Sequence, residues 1–305
     1  MRILFISSTR LGDAVLSTGL LRHLLATYPQ AHFTVACGPV AAGVFARMPR
    51  LERLIVVDKR PYDLHWASLW AGLVRTRWDL AVDVRGSALT LLLWARKRAI
   101  MRGGRRAGHR LTHLAGALGL DPAPLPVAWV ADADQARARA LLAAGGPIIG
   151  LGPTANWHGK IWPAERFAAL YQALAAEMPG ARAAIFGGPG AQEAAAAAPL
   201  LASLPGAIDL VGKLAVPEAA ACLRRCALFV GNDSGLMHLA ASAGTPTLGL
   251  FGPTPADEYA PAGVATAVAI AEGPKGKAAM AALPLGAALL AARDLLAAHP
   301  PGGAS

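Results

Sequence analysis

Short, nearly continuous apolar runs alternate along the chain with longer Ala- and Leu-rich stretches. The short runs predict strands over residues 3–7, 33–37, 53–57 and 80–83, then over 148–152, 183–187, 208–210, 228–231 and 247–251. The Ala- and Leu-rich stretches predict helices over 14–26, 165–177, 191–201, 217–224 and 235–243. Strands that are apolar throughout and separated by helices indicate an α/β protein with parallel sheets covered on both faces. The pattern is interrupted over residues 119–147, where several prolines are followed by Gly145-Gly146-Pro147. Such a stretch reads as an interdomain break and predicts domains over 1–145 and 146–305.

Length and composition agree with two domains. The chain has 305 residues, 54% of them hydrophobic, enough for two cores of roughly 150 residues each. Three cysteines, Cys37, Cys222 and Cys226, are too few for a disulfide framework. Cys222 and Cys226 lie four apart on a predicted helix with no matching Cys or His pair nearby, which favours a buried structural role over a metal site. The opening MRILFISS reads as a first strand and not as a secretion signal. The longest weakly apolar run, residues 278–292, is broken by Pro284 and Gly286, so no bilayer-spanning helix is expected. A cytoplasmic chain is the expectation, with peripheral membrane contact left open.

Charge separates the halves. Residues 1–150 hold 20 Lys and Arg against 9 Asp and Glu, whereas residues 151–305 hold 9 against 10. Seven of the positive charges fall in residues 94–110, WARKRAIMRGGRRAGHR. This segment is either a solvated loop or a surface for an anionic partner such as a phosphorylated lipid, an acidic glycan or nucleic acid. The nucleic-acid reading lacks support, because only Trp94 is interleaved with the basic residues and no recognised motif accompanies them.

Three segments carry candidate chemistry. In LFVGNDSGLM (228–237) a strand runs through Gly231 and Asn232 into Asp233-Ser234-Gly235 and a helix, an anion-tolerant turn where glycines let a ligand approach the backbone. His238 lies in the first turn of that helix. In GPTANWHGKIWP (152–163) a strand end leads to Lys160, a lone cation suited to a pyrophosphate or else a surface lysine. Gly152-Pro153-Thr154 is echoed by Gly252-Pro253-Thr254, and two such loops at one sheet edge frame a pocket. In SSTRLGDAVLSTG (7–19) Gly12 and Asp13 open a helix, where Asp13 either caps the helix or accepts a proton from a hydroxyl. No metal or other cofactor is expected.

Together, residues 1–13 (MRILFISSTRLGD), 160–163 (KIWP), 210–214 (LVGKL) and 231–254 resemble, in order and spacing, the bacterial ADP-heptose:lipopolysaccharide heptosyltransferases, glycosyltransferase family nine. The resemblance implies a GT-B architecture, two Rossmann-like domains facing across a cleft, with the acceptor in the first and the nucleotide sugar in the second. The last helix is allowed to pack back on the first domain. It further implies inverting, metal-independent transfer of a heptose from ADP-heptose to the lipopolysaccharide inner core, at the cytosolic face of the inner membrane. By this resemblance Asp13 is the general base. Thr154, Lys160, Glu193, Asn232, Asp233, Ser234, Gly235 and His238 hold the donor. Arg10, Gly12, Arg102, Arg105 and Arg106 face a Kdo-lipid A type acceptor. The alternatives are a GT-B enzyme using another nucleotide sugar and a non-catalytic nucleotide-sugar-binding module. The loop before Lys160, Ala155-Asn156-Trp157-His158-Gly159, departs from the family pattern.

Overall fold

The computed structural model describes residues 1–58, 62, 64–101 and 107–300. The chain divides into two compact units, Met1–Trp129 and Val130–Ser305.

The first unit runs β1 (Arg2–Ile6), α1 (Leu11–Thr27), β2 (His32–Cys37), α2 (Pro39–Phe45), β3 (Leu51–Val56), α3 (Leu64–Leu73), β4 (Trp78–Asp83), β5 (Ala95–Ile100) and α4 (Arg110–Ala115). Its sheet is parallel, in the order β3-β2-β1-β4-β5. β1 is central and almost wholly buried, so both faces of RILFI are apolar. Around it Leu4, Ile6, Ala36, Leu69, Trp78 and Ala81 build one face of the core. Gly19 permits α1 to lie against the chain at Pro124, since a Cβ there would stand 2.2 Å from the Pro124 carbonyl oxygen.

The second unit begins with α5 (Asp132–Leu141) and continues β6 (Ile148–Gly152), α6 (Ala164–Glu177), β7 (Arg182–Ile185), α7 (Ala191–Ser203), β8 (Ile208–Asp209) and α8 (Val216–Leu223). It ends with β9 (Leu228–Asn232), α9 (Gly235–Ser242), β10 (Thr247–Phe251), α10 (Ala256–Tyr259), β11 (Thr266–Ile270) and α11 (Leu285–Ala298). The sheet order is β11-β10-β9-β6-β7-β8, with every pairing parallel.

Three features differ from the sequence expectation. The division falls at Trp129/Val130 rather than after residue 145, because α5 packs on α8 and so goes with the second unit. β5 emerges from the basic run that reads as loop or acceptor surface. It is the edge of its sheet, so ARKRAI needs to bury only Ala99, and no apolar run marks it. β11, likewise an edge strand, lies in the Ala-rich region where the sequence shows no pattern. The last helix, α11, seats Ala288, Ala292 and Leu295 in the core of the second unit, against β10, β11 and α6. No helix among the described residues is long and apolar enough to cross a membrane.

Candidate functional site

Both sheets reverse their strand order beside the first strand laid down: between β1 and β4 in the first unit and between β6 and β9 in the second. At such a point neighbouring loops leave the sheet in opposite directions and open a crevice beyond the carboxyl ends of the strands. Asp13 lies in the helix after β1, and Lys160 and Asp233 follow β6 and β9.

In the second unit the loop after β6 is built by buried contacts. Trp162 is fully buried, packs edge-on against Phe167 at 5.2 Å, and donates its indole N–H to the Leu283 carbonyl at 3.1 Å. Asn232, at the end of β9, accepts from the Trp162 backbone N–H (3.0 Å) and donates to the Pro153 carbonyl (2.8 Å). Both ends of its fully buried amide are thus committed to backbone, so Asn232 shapes the loop and does not present itself to a ligand. Gly152 and Gly231 face each other in register across β6 and β9. A Cβ at either would stand 2.6 Å from the Phe229 ring. The space left by Gly231 is therefore filled by Phe229, not reserved for a ligand as the sequence implied.

The short 3₁₀ turn His158–Lys160 then delivers Lys160 to Asp233. Lys160 Nζ donates to Asp233 Oδ2 at 2.6 Å, and the Thr254 hydroxyl donates to the same oxygen at 2.8 Å. Lys160, Asp233 and Thr254 follow β6, β9 and β10, so three neighbouring strand ends converge on one carboxylate oxygen. The pair is little exposed, 18% for the lysine side chain and 7% for the aspartate. Ser234 precedes α9 in an extended conformation but makes no capping bond, and its buried Oγ has no hydrogen-bond partner among the described residues. With no side-chain cap, the N-terminus of α9, beginning at Gly235, leaves its helix-dipole field to favour an anion.

The remaining predicted donor residues are less directly engaged. Thr154 is buried behind the β6 end. Glu193, in the first turn of α7, accepts the Gly188 backbone N–H at 2.8 Å and so ties down the loop after β7. His238 is buried one turn into α9.

In the first unit Asp13 stands in the first turn of α1. The residue preceding that helix is Arg10, and no side-chain capping bond is made, so Asp13 does not serve as the cap. Its Oδ1 instead accepts from Arg110 Nε at 3.0 Å, with both side chains about a quarter exposed (22% and 28%). Arg10 is exposed and Gly12 half-buried beside it. Arg102, Arg105 and Arg106 lie outside the described residues.

Across the strand reversal, at the end of β4, the fully buried Asp83 accepts hydrogen bonds from the backbone N–H groups of Arg85 (2.8 Å), Gly86 (3.0 Å) and Ser87 (2.9 Å), and from the Ser87 hydroxyl (2.5 Å). Burial pushes its carboxyl above the ordinary range, outweighing those four bonds. The turn so held places Arg85 over the Trp66 ring, 4.8 Å from its centroid. Sequence reasoning did not single out Arg85 and Arg110, and named Thr254 only as part of a repeated turn. The repeated Gly-Pro-Thr pointed to Thr254, whereas nothing local distinguishes the two arginines among eighteen basic residues of their unit. Among the described residues no cluster of His, Cys, Asp and Glu is suited to hold a metal ion.

The sequence profile of glycosyltransferase family 9 (heptosyltransferase) matches residues 83–280. The lipooligosaccharide heptosyltransferase 2 of Haemophilus influenzae is 26% identical over 301 residues, covering 86% of each chain. The lipopolysaccharide heptosyltransferase 2 of Escherichia coli K12 is 28% identical over 302 residues, covering 84% of each. Among solved structures, the family 9 transferase of Veillonella parvula superposes with a TM-score of 0.84 at 22% identity, covering 97% of each chain. The ADP-heptose lipopolysaccharide heptosyltransferase II of E. coli does so at 0.78 and 23%, covering 98% of this chain and 99% of that one. These superpositions identify the paired parallel sheets as the GT-B fold, and the profile match identifies the lineage. The chain belongs to glycosyltransferase family 9, the heptosyltransferases.

Proposed function

We propose that this protein transfers a heptose from ADP-heptose to the inner core of lipopolysaccharide, with inversion at the anomeric carbon and without a metal ion. The first unit binds the acceptor and the second the donor, at the cytosolic surface of the inner membrane. The observation that carries this reading is the convergence of Lys160, Asp233 and Thr254 at the strand reversal of the second sheet, beside the N-terminus of α9. An ammonium group next to a helix N-terminus suits a diphosphate leaving group. Its three protons let Lys160 contact phosphate while Asp233 keeps it aimed. Asp233 and Ser234 suit sugar hydroxyls.

In the first unit Asp13 acts as the general base. The acceptor hydroxyl gives its proton to the carboxylate as its oxygen bonds to the anomeric carbon. The bond from that carbon to the diphosphate oxygen breaks, and ADP leaves with the electron pair. Arg110, fixed on Asp13 Oδ1, orients the carboxylate so that Oδ2 meets the hydroxyl. Arg10 and Arg85, with Arg102, Arg105 and Arg106, meet the carboxylates and phosphates of a Kdo-lipid A type acceptor. The charge of the first unit, 18 Lys and Arg against 7 Asp and Glu, favours such a substrate.

Thermal-shift titration with ADP-, UDP- and GDP-sugars tests the donor assignment. ADP-heptose is expected to raise the unfolding midpoint most; a larger shift with a UDP- or GDP-sugar would reassign the donor.

A further inference from the structure

We infer that the first unit docks on an anionic phospholipid surface through a built apolar patch, formed by the turn entering β5 and the outer face of α3. This rests on the membrane-surface part of the proposed function and assigns the residues that make the contact.

The turn buries Leu89 and Leu93 and exposes Leu91, Leu92 and Trp94, each more than 60% accessible. Three large apolar side chains turned outward within four residues is more than the scattered single leucines of an ordinary surface. The turn is rigidly held. Arg98 spends its guanidinium on the carbonyls of Thr90 (2.9 Å), Leu93 (2.6 Å) and Ala95 (2.9 Å). Trp70 of α3 donates its indole N–H to the Leu92 carbonyl at 3.1 Å, joining helix to turn, and is itself 39% exposed. From Leu64 to Val74 the sequence LHWASLWAGLV contains no Asp, Glu, Lys or Arg, although Leu64, Ala67, Ser68 and Ala71 are exposed along one stripe of α3. A water-facing helix stripe usually carries charge; this one carries none.

Basic residues border the patch. Arg75 and Arg77 follow α3, and Arg96 and Lys97 continue from Trp94 along the edge strand, all of them exposed. The Arg77 guanidinium lies 5.5 Å from the centre of the Trp94 ring. Leucine and tryptophan ringed by Arg and Lys is the composition of an interfacial surface: the apolar groups enter the acyl boundary, and the cations meet headgroup phosphates. Charge decides between this occupant and a second copy of the chain. Self-association through the patch would bring two sets of like charges together, whereas an anionic bilayer neutralises them. The turn enters β5 beside the start of β4 and Asp13 follows the end of β1, so the patch and the proposed acceptor residues belong to one unit.

Flotation of the full chain with phosphatidylcholine vesicles, with and without phosphatidylglycerol, tests this. Wild type is expected to float with the phosphatidylglycerol vesicles, to be released by salt, and to ignore pure phosphatidylcholine. Leu91→Asp with Leu92→Asp, and separately Arg96→Glu with Lys97→Glu, should each lower partitioning by about tenfold or more. Near-ultraviolet dichroism and the unfolding midpoint should stay at wild-type values, since all four side chains are exposed. Wild type that fails to float, or both variants floating like wild type, overturns the inference. A dimer by light scattering that the leucine pair dissociates, with flotation unchanged, assigns the patch to a second copy instead. The vesicles carry no glycan, so failure here leaves sugar transfer untouched, whereas wild type that floats but does not move heptose from ADP-heptose to a Kdo-lipid A acceptor counts against the transfer reading alone.

Discussion

Replacing Lys160 by Met removes the charge that meets Asp233 while keeping most of the side-chain volume. Removing one partner of a fully buried ion pair costs about 3–5 kcal/mol. Here the pair retains some solvent, with side-chain exposures of 18% and 7%, and Thr254 still donates to the stranded carboxylate. A loss of about 2 kcal/mol follows, which for a unit of this size lowers the unfolding midpoint by roughly 4–8 °C. Adding Asp233→Asn neutralises the stranded charge and should restore at least half of that loss. Binding follows a different course. If Lys160 also contacts the diphosphate, the single variant loses a charged hydrogen bond of about 1.5–3 kcal/mol, roughly 10- to 100-fold in the Kd for ADP. The double variant cannot recover that affinity. Calorimetric titration with ADP, beside thermal unfolding, separates the two effects. Lys160→Met protein that loses stability as calculated yet binds ADP within about threefold of wild type would make Lys160 a partner of Asp233 and nothing more.

Asp83→Ala should destabilise the first unit by about 2–4 kcal/mol, because three backbone N–H groups and a hydroxyl lose their common acceptor; a change under about 0.5 kcal/mol in denaturant unfolding would show that water replaces it. Asn232→Asp places a carboxylate against the Pro153 carbonyl and should cost about 2 kcal/mol or more, read as a lower unfolding midpoint, whereas an unchanged midpoint would contradict the stapling role. Burial pushes the Cys37 thiol up to about 12 and the Cys222 thiol up to about 11, and raises Cys226 as well. These thiols should resist a disulfide reagent at pH 8 until the chain unfolds. Because the folded chain holds protons that the unfolded chain gives up near pH 8.5, stability should be level below that pH and fall as pH rises toward 11–12. Rapid labelling of native protein, or stability rising with pH across that window, would contradict the burial.

The central strands were legible in the sequence because they are covered on both faces. β6 and β10 occupy the residues their apolar runs predict, and β1, β2, β4 and β9 are displaced by only one or two residues at an end. The edge strands β5 and β11 were not, since one long side and part of each face meet water and the apolar signature vanishes. Lys160 and Asp233 could be named from their motifs, but their contact spans 73 positions and depends on β6 and β9 lying side by side, which no local pattern encodes. Arg110 is 97 positions from Asp13 and illustrates the same limit. Asn232 shows the reverse case: its motif invited a ligand role, whereas its burial and two backbone partners make it a brace for the loop.

The most direct test of the account measures transfer of heptose from ADP-heptose to a Kdo-lipid A acceptor by wild type and by Asp13→Asn, with ADP-heptose affinity measured alongside. Turnover by wild type, a fall of about 10²–10⁴-fold in kcat for the variant, and ADP-heptose affinity within about twofold of wild type are expected. Near-wild-type turnover by Asp13→Asn, or a loss of turnover fully matched by lost donor affinity, would contradict it.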